Sequence, residues 1–252
     1  MRPVTISLQI LEEVASRQPI GTSELARQLE LSKTTVHRAL MSLAEAGWIE
    51  PSGEARKSWQ LSLRALMVAG KAMEPQSSLR SVAIPVMEEL RRSTGETVHL
   101  VTRYCDSVVL IERLDGIKPV RVFHPFGGRA PLNVTSSGKA ILASLPQAEL
   151  DSYLKNGFSN GQHDASAIHA FAKELQIVRK RGFALNLGQN VPDAHSVGAA
   201  IMGEGDRPVA AITISAPSER MPEKLCMARG NLIKDAARRI SLGLRTQSPV
   251  RT

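Results

Sequence analysis

Between residues 31 and 44 the chain places Lys33, Thr34, Thr35, His37, Arg38 and Ser42 together and contains no carboxylate. Hydroxyls, an imidazole and a guanidinium can reach phosphate oxygens or base edges, and without an acid nothing repels a polyanion. Arg56 and Lys57, and Ser23 upstream, are suited to holding a phosphate backbone. A second set of residues raises a different chemistry. His99, His124, His163, His169 and His195, with Asp164 or Asp193, have the donor types of metal-assisted hydrolysis, but their spacing matches no zinc signature. Lone histidines in a fold of this size are more often cap, turn or surface residues. Gly127-Gly128-Arg129 is too short for a dinucleotide fingerprint, and no phosphate-cradling loop or nucleophile elbow occurs.

The spacing of apolar residues states which elements must carry the first set. Leu25, Ala26 and Leu29 mark a short helix that Thr22 or Ser23 is placed to cap. A second helix begins near Ser32. Its inner side is Val36, Ala39, Leu40 and Leu43, so the polar residues fall on the outer side, as a helix entering a major groove requires. Gly47 ends this helix, and Trp48-Ile49 opens a strand that turns at Pro51-Ser52-Gly53 and returns through Ser58-Trp59-Gln60-Leu61. Arg56 and Lys57 fall close to the tip, and the two tryptophans anchor the hairpin. Helix, turn, helix and basic hairpin arrive in the order of a winged helix-turn-helix.

Flanking this unit, residues 5–16 read as a helix with Leu8, Leu11 and Val14 inward. Leu63, Leu66, Met67 and Gly70 mark another helix, and Gln76-Ser77-Ser78 reads as a break. Residues 79–92 repeat Val82, Val86 and Leu90, with a bend allowed at Pro85. From Thr97 the period becomes two. Strands are expected at residues 97–102, 108–111 and 120–123 as a meander, then at 183–186, 197–202 and 209–215. Helices are expected at 137–144, 147–154 and 165–180, the last burying Ile168, Phe171, Leu175 and Val178. A final helix at 223–241 would turn Leu225, Leu232, Ala236 and Ile240 inward. This pattern describes an α+β chain: a winged helix-turn-helix over residues 1–62, a helical linker over 63–78, and a domain with a central antiparallel sheet over 79–246.

At 252 residues and 42% apolar content the chain can bury two cores. The net charge of +8 is not a nucleic-acid footprint, because residues 1–75 hold nine bases against eight acids and the excess lies further along. Cys105 and Cys226, far apart and without ligand pairs, are expected as buried thiols in a reducing compartment. The start lacks a signal-peptide pattern and no run is long enough to span a bilayer, so a cytoplasmic location without a membrane partner is expected.

Thr22-Ser23-Glu24-Leu25-Ala26, Ser32-Lys33-Thr34-Thr35-Val36-His37-Arg38, Gly47-Trp48-Ile49, Gly95-Glu96-Thr97-Val98-His99-Leu100, residues 129–140 (RAPLNVTSSGKA) and Arg181-Gly182-Phe183-Ala184 together carry a signature. Across nearly its whole length the chain resembles the isocitrate lyase regulator (IclR) family of bacterial transcription factors. The resemblance implies a GAF-like second domain that binds an effector, and dimers or dimers of dimers on double-stranded operator DNA. It implies no cofactor and no catalysis. Recognition by paired helices favours an imperfectly palindromic operator. Whether the regulator represses or activates is not implied. The family's effector pocket maps here onto Gly128, Arg129, Ala130, Leu132, Ser136 and Ser137.

Amides at a helix start near Ser136 suit a carboxylate, and Arg129 stands beside them in sequence. Where many members carry paired acids, this chain reads Asn186-Leu187-Gly188-Gln189-Asn190, and Ser196 stands where they have cysteine. Fewer carboxylates point to a small organic anion, with Gln189, Asn190, His195, Ser196 and Ser215 as polar contacts. Two alternatives accompany this reading: a second domain that mainly mediates oligomerisation or protein contacts, and the metal-dependent hydrolase.

Overall fold

A computed structural model describes residues 3–53, 57–73, 77–156 and 165–247. The chain divides into two compact units, Met1–Gln76 and Ser77–Thr252.

The first unit runs α1 (Pro3–Arg17), β1 (Ile20–Gly21), α2 (Thr22–Gln28), α3 (Lys33–Glu45), β2 (Ile49–Ser52), β3 (Ser58–Leu61) and α4 (Leu63–Met73). Its core joins Ile10 and Val14 of α1 to Leu25, Val36, Leu40, Ile49 and Trp59. In α1 the inward pair is Ile10 and Val14, whereas Leu8, expected inward, is exposed. Leu8 lies about 200° around the helix from Ile10, so the two cannot share a face. Thr22 and Ser23 do not cap α2: the N-cap is Gly21, with no side-chain cap bond, and both hydroxyl residues lie in the first turn. Glu30, at φ 55°, turns the chain into α3, and Leu31 N–H donates to Ala26 O at 3.0 Å.

Helix α3 buries Val36, Ala39, Leu40 and Leu43 as its spacing requires. It ends at Gly47, whose φ of 76° places it in the left-handed region that glycine adopts without penalty. Trp48 N–H then donates to Leu43 O and Gly47 N–H to Ala44 O, which satisfies two terminal carbonyls. The hairpin pairs Ile49 with Leu61 through Ser52 with Ser58, and β1 adds a third strand that pairs with β3. Trp59 is buried; Trp48 is half-buried with the Arg64 guanidinium 5.9 Å from its ring. On α4, Leu63, Leu66 and Met67, read as an apolar stripe, are exposed.

The second unit contains α5 (Ser77–Thr94), β4 (Thr97–Tyr104), β5 (Ser107–Leu114), β6 (Arg129–Pro131), α6 (Ser136–Ser144), α7 (Gln147–Asn156), α8 (Ala165–Arg181), β7 (Ala184–Leu187), β8 (Ala194–Met202), β9 (Pro208–Pro217), α9 (Glu223–Ala228) and α10 (Gly230–Gln247). Six strands form one antiparallel sheet in the order β6-β5-β4-β9-β8-β7. Val101, Val108, Leu110 and Ala211 pack with Leu142, Phe171, Leu175 and Val178 of α6 and α8. Alternation sends Val98, Leu100, Ile212 and Ile214, all buried, to the opposite face. Helices α5 and α10 pack on each other and on β4, β8 and β9. Helix α5 runs through Pro85 unbroken.

Three expectations fail here for identifiable reasons. Residues 120–123 form no strand: Val120 and Phe123 are exposed, and the segment is held by Arg220 donating to Val120 O at 2.8 Å. The edge of β5 is instead taken by β6. The final helix is two helices, broken at Arg229, which resets the phase so that Ile233 is buried and Leu232 exposed. Cys105 is exposed in the β4–β5 turn at φ 51°, while Cys226 is buried.

Candidate functional site

The outer side of α3 is arranged by its cap. Ser32 Oγ accepts from Thr35 N–H at 3.1 Å and lies 2.8 Å from Thr35 Oγ1, so Thr35 is engaged at the helix start. Lys33, Thr34, His37 and Arg38 are exposed, as are Ser23 and Lys57. The first turn of α3 contains no acid, which leaves the positive end of its dipole uncompensated. Arg56 lies outside the described residues.

In the second unit a cavity of about 330 Å³ lies between the sheet and the start of α6. Gly128, Ala130, Ser136, Ser137, Asn190, His195, Ser196 and Ser215 line it, and among the described residues that do so there is no Asp or Glu. Thr135 caps α6: its Oγ1 accepts from Gly138 N–H at 3.1 Å and donates to Pro131 O at 3.0 Å. The amides of Ser136 and Ser137 have no acceptor within the helix, so this end of the cavity has a partial positive charge. Close approach of α6 to the sheet needs Gly198, where a Cβ would lie 3.1 Å from Ser136 Oγ. Ser136 Oγ and Ser196 Oγ are 2.7 Å apart.

Cross-strand pairing continues this polar floor, since Asn186 faces Ser196 and Ser196 faces Ser215. His195 Nδ1 lies 3.0 Å from Met221 O, which fixes the proton on that nitrogen.

Arg129 borders the cavity, but its side chain is elsewhere. It pairs with Val109, which pairs with Thr102, and alternation puts these on the side away from Val101, Val108 and Ala130. The Arg129 guanidinium lies 5.2 Å from the ring of Tyr104 on that side. Leu132 and Gln189 are not on the cavity wall. Leu132 is fully buried in the helical core, and Gln189 serves the adjoining turn. Its N–H donates to Asn186 Oδ1 at 2.8 Å, and its Oε1 accepts from Lys139 Nζ at 3.2 Å. Lys139, 1% exposed, also donates to Glu174 at 2.8 Å and Leu185 O at 3.2 Å. One buried ammonium thereby ties α6, α8 and the turn after β7.

The sequence pattern does not single out Val101, Val108, Leu110, Val122, Asn186 or Thr213 as wall residues, and it gives His99 and His124 a different role. Both histidines line the cavity. Their rings lie 5.3 Å apart, tilted by 59°. Burial, then the neighbouring His124 and Arg113, pushes the His99 imidazole down to about 3; burial and Arg113 also lower His124. Both are therefore neutral at pH 7. The alternation of His99 with Val101 is the signal that could have placed His99 on this wall. Of the other histidines, His163 lies outside the described residues, as does Asp164. Among the described residues no group of three or more His, Cys, Asp or Glu could hold a metal ion, and no helix is long and apolar enough to cross a membrane.

Two family models cover the chain: the bacterial transcriptional regulator IclR C-terminal domain over residues 73–242, and the IclR helix-turn-helix domain over residues 3–53. The HTH-type transcriptional repressor AllR of Escherichia coli K12 is 31% identical over 239 residues, covering 94% of this chain and 87% of the relative. The HTH-type transcriptional regulator BhcR of Paracoccus denitrificans is 28% identical over 246 residues, covering 97% and 88%. In fold, the chain matches an IclR homolog from Microbacterium hydrocarbonoxydans, crystallised with 4-hydroxybenzoate, at a TM-score of 0.76 and 21% identity, covering 98% of this chain and all of the other. Matches to both halves, with a winged helix-turn-helix in one unit and a cavity-bearing antiparallel sheet in the other, make the chain a member of the IclR family of bacterial transcriptional regulators: non-catalytic, DNA-binding, and equipped with an effector-binding domain.

Proposed function

We propose that the chain binds a palindromic operator as a homodimer or dimer of dimers, and that a small organic acid in the cavity sets that binding. The observation that carries the ligand half is the α6 N-terminus opening onto a cavity whose wall, among the described residues, has no carboxylate. The helix-terminal amides there favour an anion, and Val101, Val108 and Leu110 offer an apolar surface to the rest of the molecule. The acid crystallised with the Microbacterium relative is of this class. On the DNA side, Arg38 reads a base edge with Thr34, Thr35 and His37 beside it, and Ser23, Lys33 and Lys57 hold phosphates. Effector binding alters operator affinity only by as much as the effector prefers one state of the protein over the other.

Isothermal titration of the full chain with a panel of small carboxylic acids, followed by operator mobility shifts with and without the binder, tests this reading. The expected result is saturable binding by at least one acid and a change in operator affinity. A folded, DNA-binding protein that takes none of the acids would overturn it.

A further inference from the structure

One set of polar groups in the cavity is the start of α6 with Ser136, Ser137 and Ser196; another is His99 with His124, and Ser215 stands between the two. Ser196 is on β8 and His99 on β4, with β9 between them. Two strand spacings of about 4.8 Å put the backbones of these two strands roughly 10 Å apart. Val101, Val108 and Leu110 supply apolar wall. A two- or three-carbon acid seated at α6 would leave the histidine end untouched.

His99 is 3% exposed, and its Nε2 has no hydrogen-bond partner among the described residues. Its Nδ1 is 3.4 Å from Ser215 Oγ. A buried imidazole nitrogen without a partner is destabilising, and a ligand group that pairs with it recovers that cost. Resting on the reading of the cavity as an organic-acid site, we propose that the ligand carries an uncharged hydroxyl at the end remote from its carboxylate, and that His99 and His124 are the residues that select it.

A hydroxyl fits because a neutral imidazole presents one donor and one acceptor. If Nδ1 donates to Ser215, Nε2 needs a donor; if Ser215 donates, Nε2–H needs an acceptor. A hydroxyl satisfies either tautomer. An apolar end would leave Nε2 unpaired, and a second carboxylate would be desolvated beside neutral imidazoles and an Arg113 guanidinium already paired with Asp115 at 2.9 Å. Among the buried side-chain nitrogens and oxygens of the described lining residues, His99 Nε2 is the one without a hydrogen-bond partner, which makes the histidine pair the end awaiting one.

Calorimetry on the full chain with matched acids tests the proposal: benzoate against 4-hydroxybenzoate, and hexanoate against 6-hydroxyhexanoate. In the native protein the hydroxylated member of at least one pair should bind about tenfold more tightly, the worth of one hydrogen bond. His124→Phe and His99→Phe should bring that ratio close to one while the unhydroxylated acid still binds, and His99→Gln should restore part of it. Thermal melting checks that each variant is folded; should His99→Phe fail, His124→Phe and His99→Gln carry the comparison. Equal affinities within both pairs, or a preference that survives in both His124→Phe and His99→Gln undiminished, would overturn the assignment while leaving the organic-acid reading intact. No binding by any of the four acids would overturn both.

Discussion

The hydroxyls of Ser136 and Ser196 meet at 2.7 Å with both residues buried, so the first residue of α6 is bonded directly to β8. Ser196→Ala strips Ser136 of that partner and leaves a buried hydroxyl to be satisfied by nothing in the described structure. We expect a loss of about 1–3 kcal/mol in urea unfolding at unchanged slope. A variant as stable as the native chain would show that the bond does not hold α6 in place.

Lys139 concerns the other side of the same helix. Lys139→Met keeps the volume of the stem but removes the donor shared by Glu174, Leu185 O and Gln189. Glu174 is 39% exposed and can rehydrate, so the cost should lie on the hydrogen-bond scale, about 1–3 kcal/mol, below that of a fully buried broken pair. Hydrogen exchange should quicken at residues 186–190, and unchanged exchange there would sever the turn from Lys139.

Acid should destabilise the second unit earlier than carboxylates alone would dictate. Burial holds His99 neutral down to about pH 3, whereas an unfolded histidine takes a proton below about 6.5. The folded value is depressed, so the contribution is intact above 6.5 and is lost as pH falls towards 3. His99→Gln should flatten the stability profile between about pH 6.5 and 4.5, followed by urea unfolding at stepped pH. Glu96 acts lower. Its burial raises the carboxyl, but bonds from Arg220 and Lys118 outweigh that and hold it below the usual range, so its share fades only as pH drops beneath about 4.5.

On DNA, Arg38→Ala and Lys57→Ala should differ in kind. Loss of a base-reading guanidinium costs about 1–3 kcal/mol on the operator and relaxes sequence preference at one position. Loss of a phosphate contact lowers operator and random-sequence affinity alike and reduces the salt slope by about one. Binding isotherms at three salt concentrations on both DNAs separate them. An equal loss on both DNAs for Arg38→Ala would remove its reading role.

What could be read in the chain beforehand follows the range of the forces involved. The buried side of α3 was legible because Val36, Ala39, Leu40 and Leu43 repeat within one helix, with its cap and its glycine stop adjacent in sequence. Leu8 misleads because Ile6, Leu8, Ile10 and Leu11 of α1 offer more than one apolar stripe, and only packing against the rest of the core chooses Ile10. Residues 120–123 alternate as a strand should, yet which segment pairs with β5 is decided by contacts remote in sequence, Arg220 on Val120 O among them. Candidate wall residues such as Ser136 and Ser196 could be named from motif positions, whereas the direction of Arg129 depends on a three-residue strand and its register. His99 was visible only as a histidine. That it shares a cavity with His124, 25 residues later, is a property of the folded sheet.

With Arg129 turned onto Tyr104, positive potential at the α6 end of the cavity comes from peptide groups. Peptide dipoles do not titrate and are not coded by any one codon. A receptor built on them keeps its preference for charge through most side-chain replacements, so ligand range can drift by changes at wall positions such as Val101 and His99 while the sign of charge it favours is inherited with the backbone.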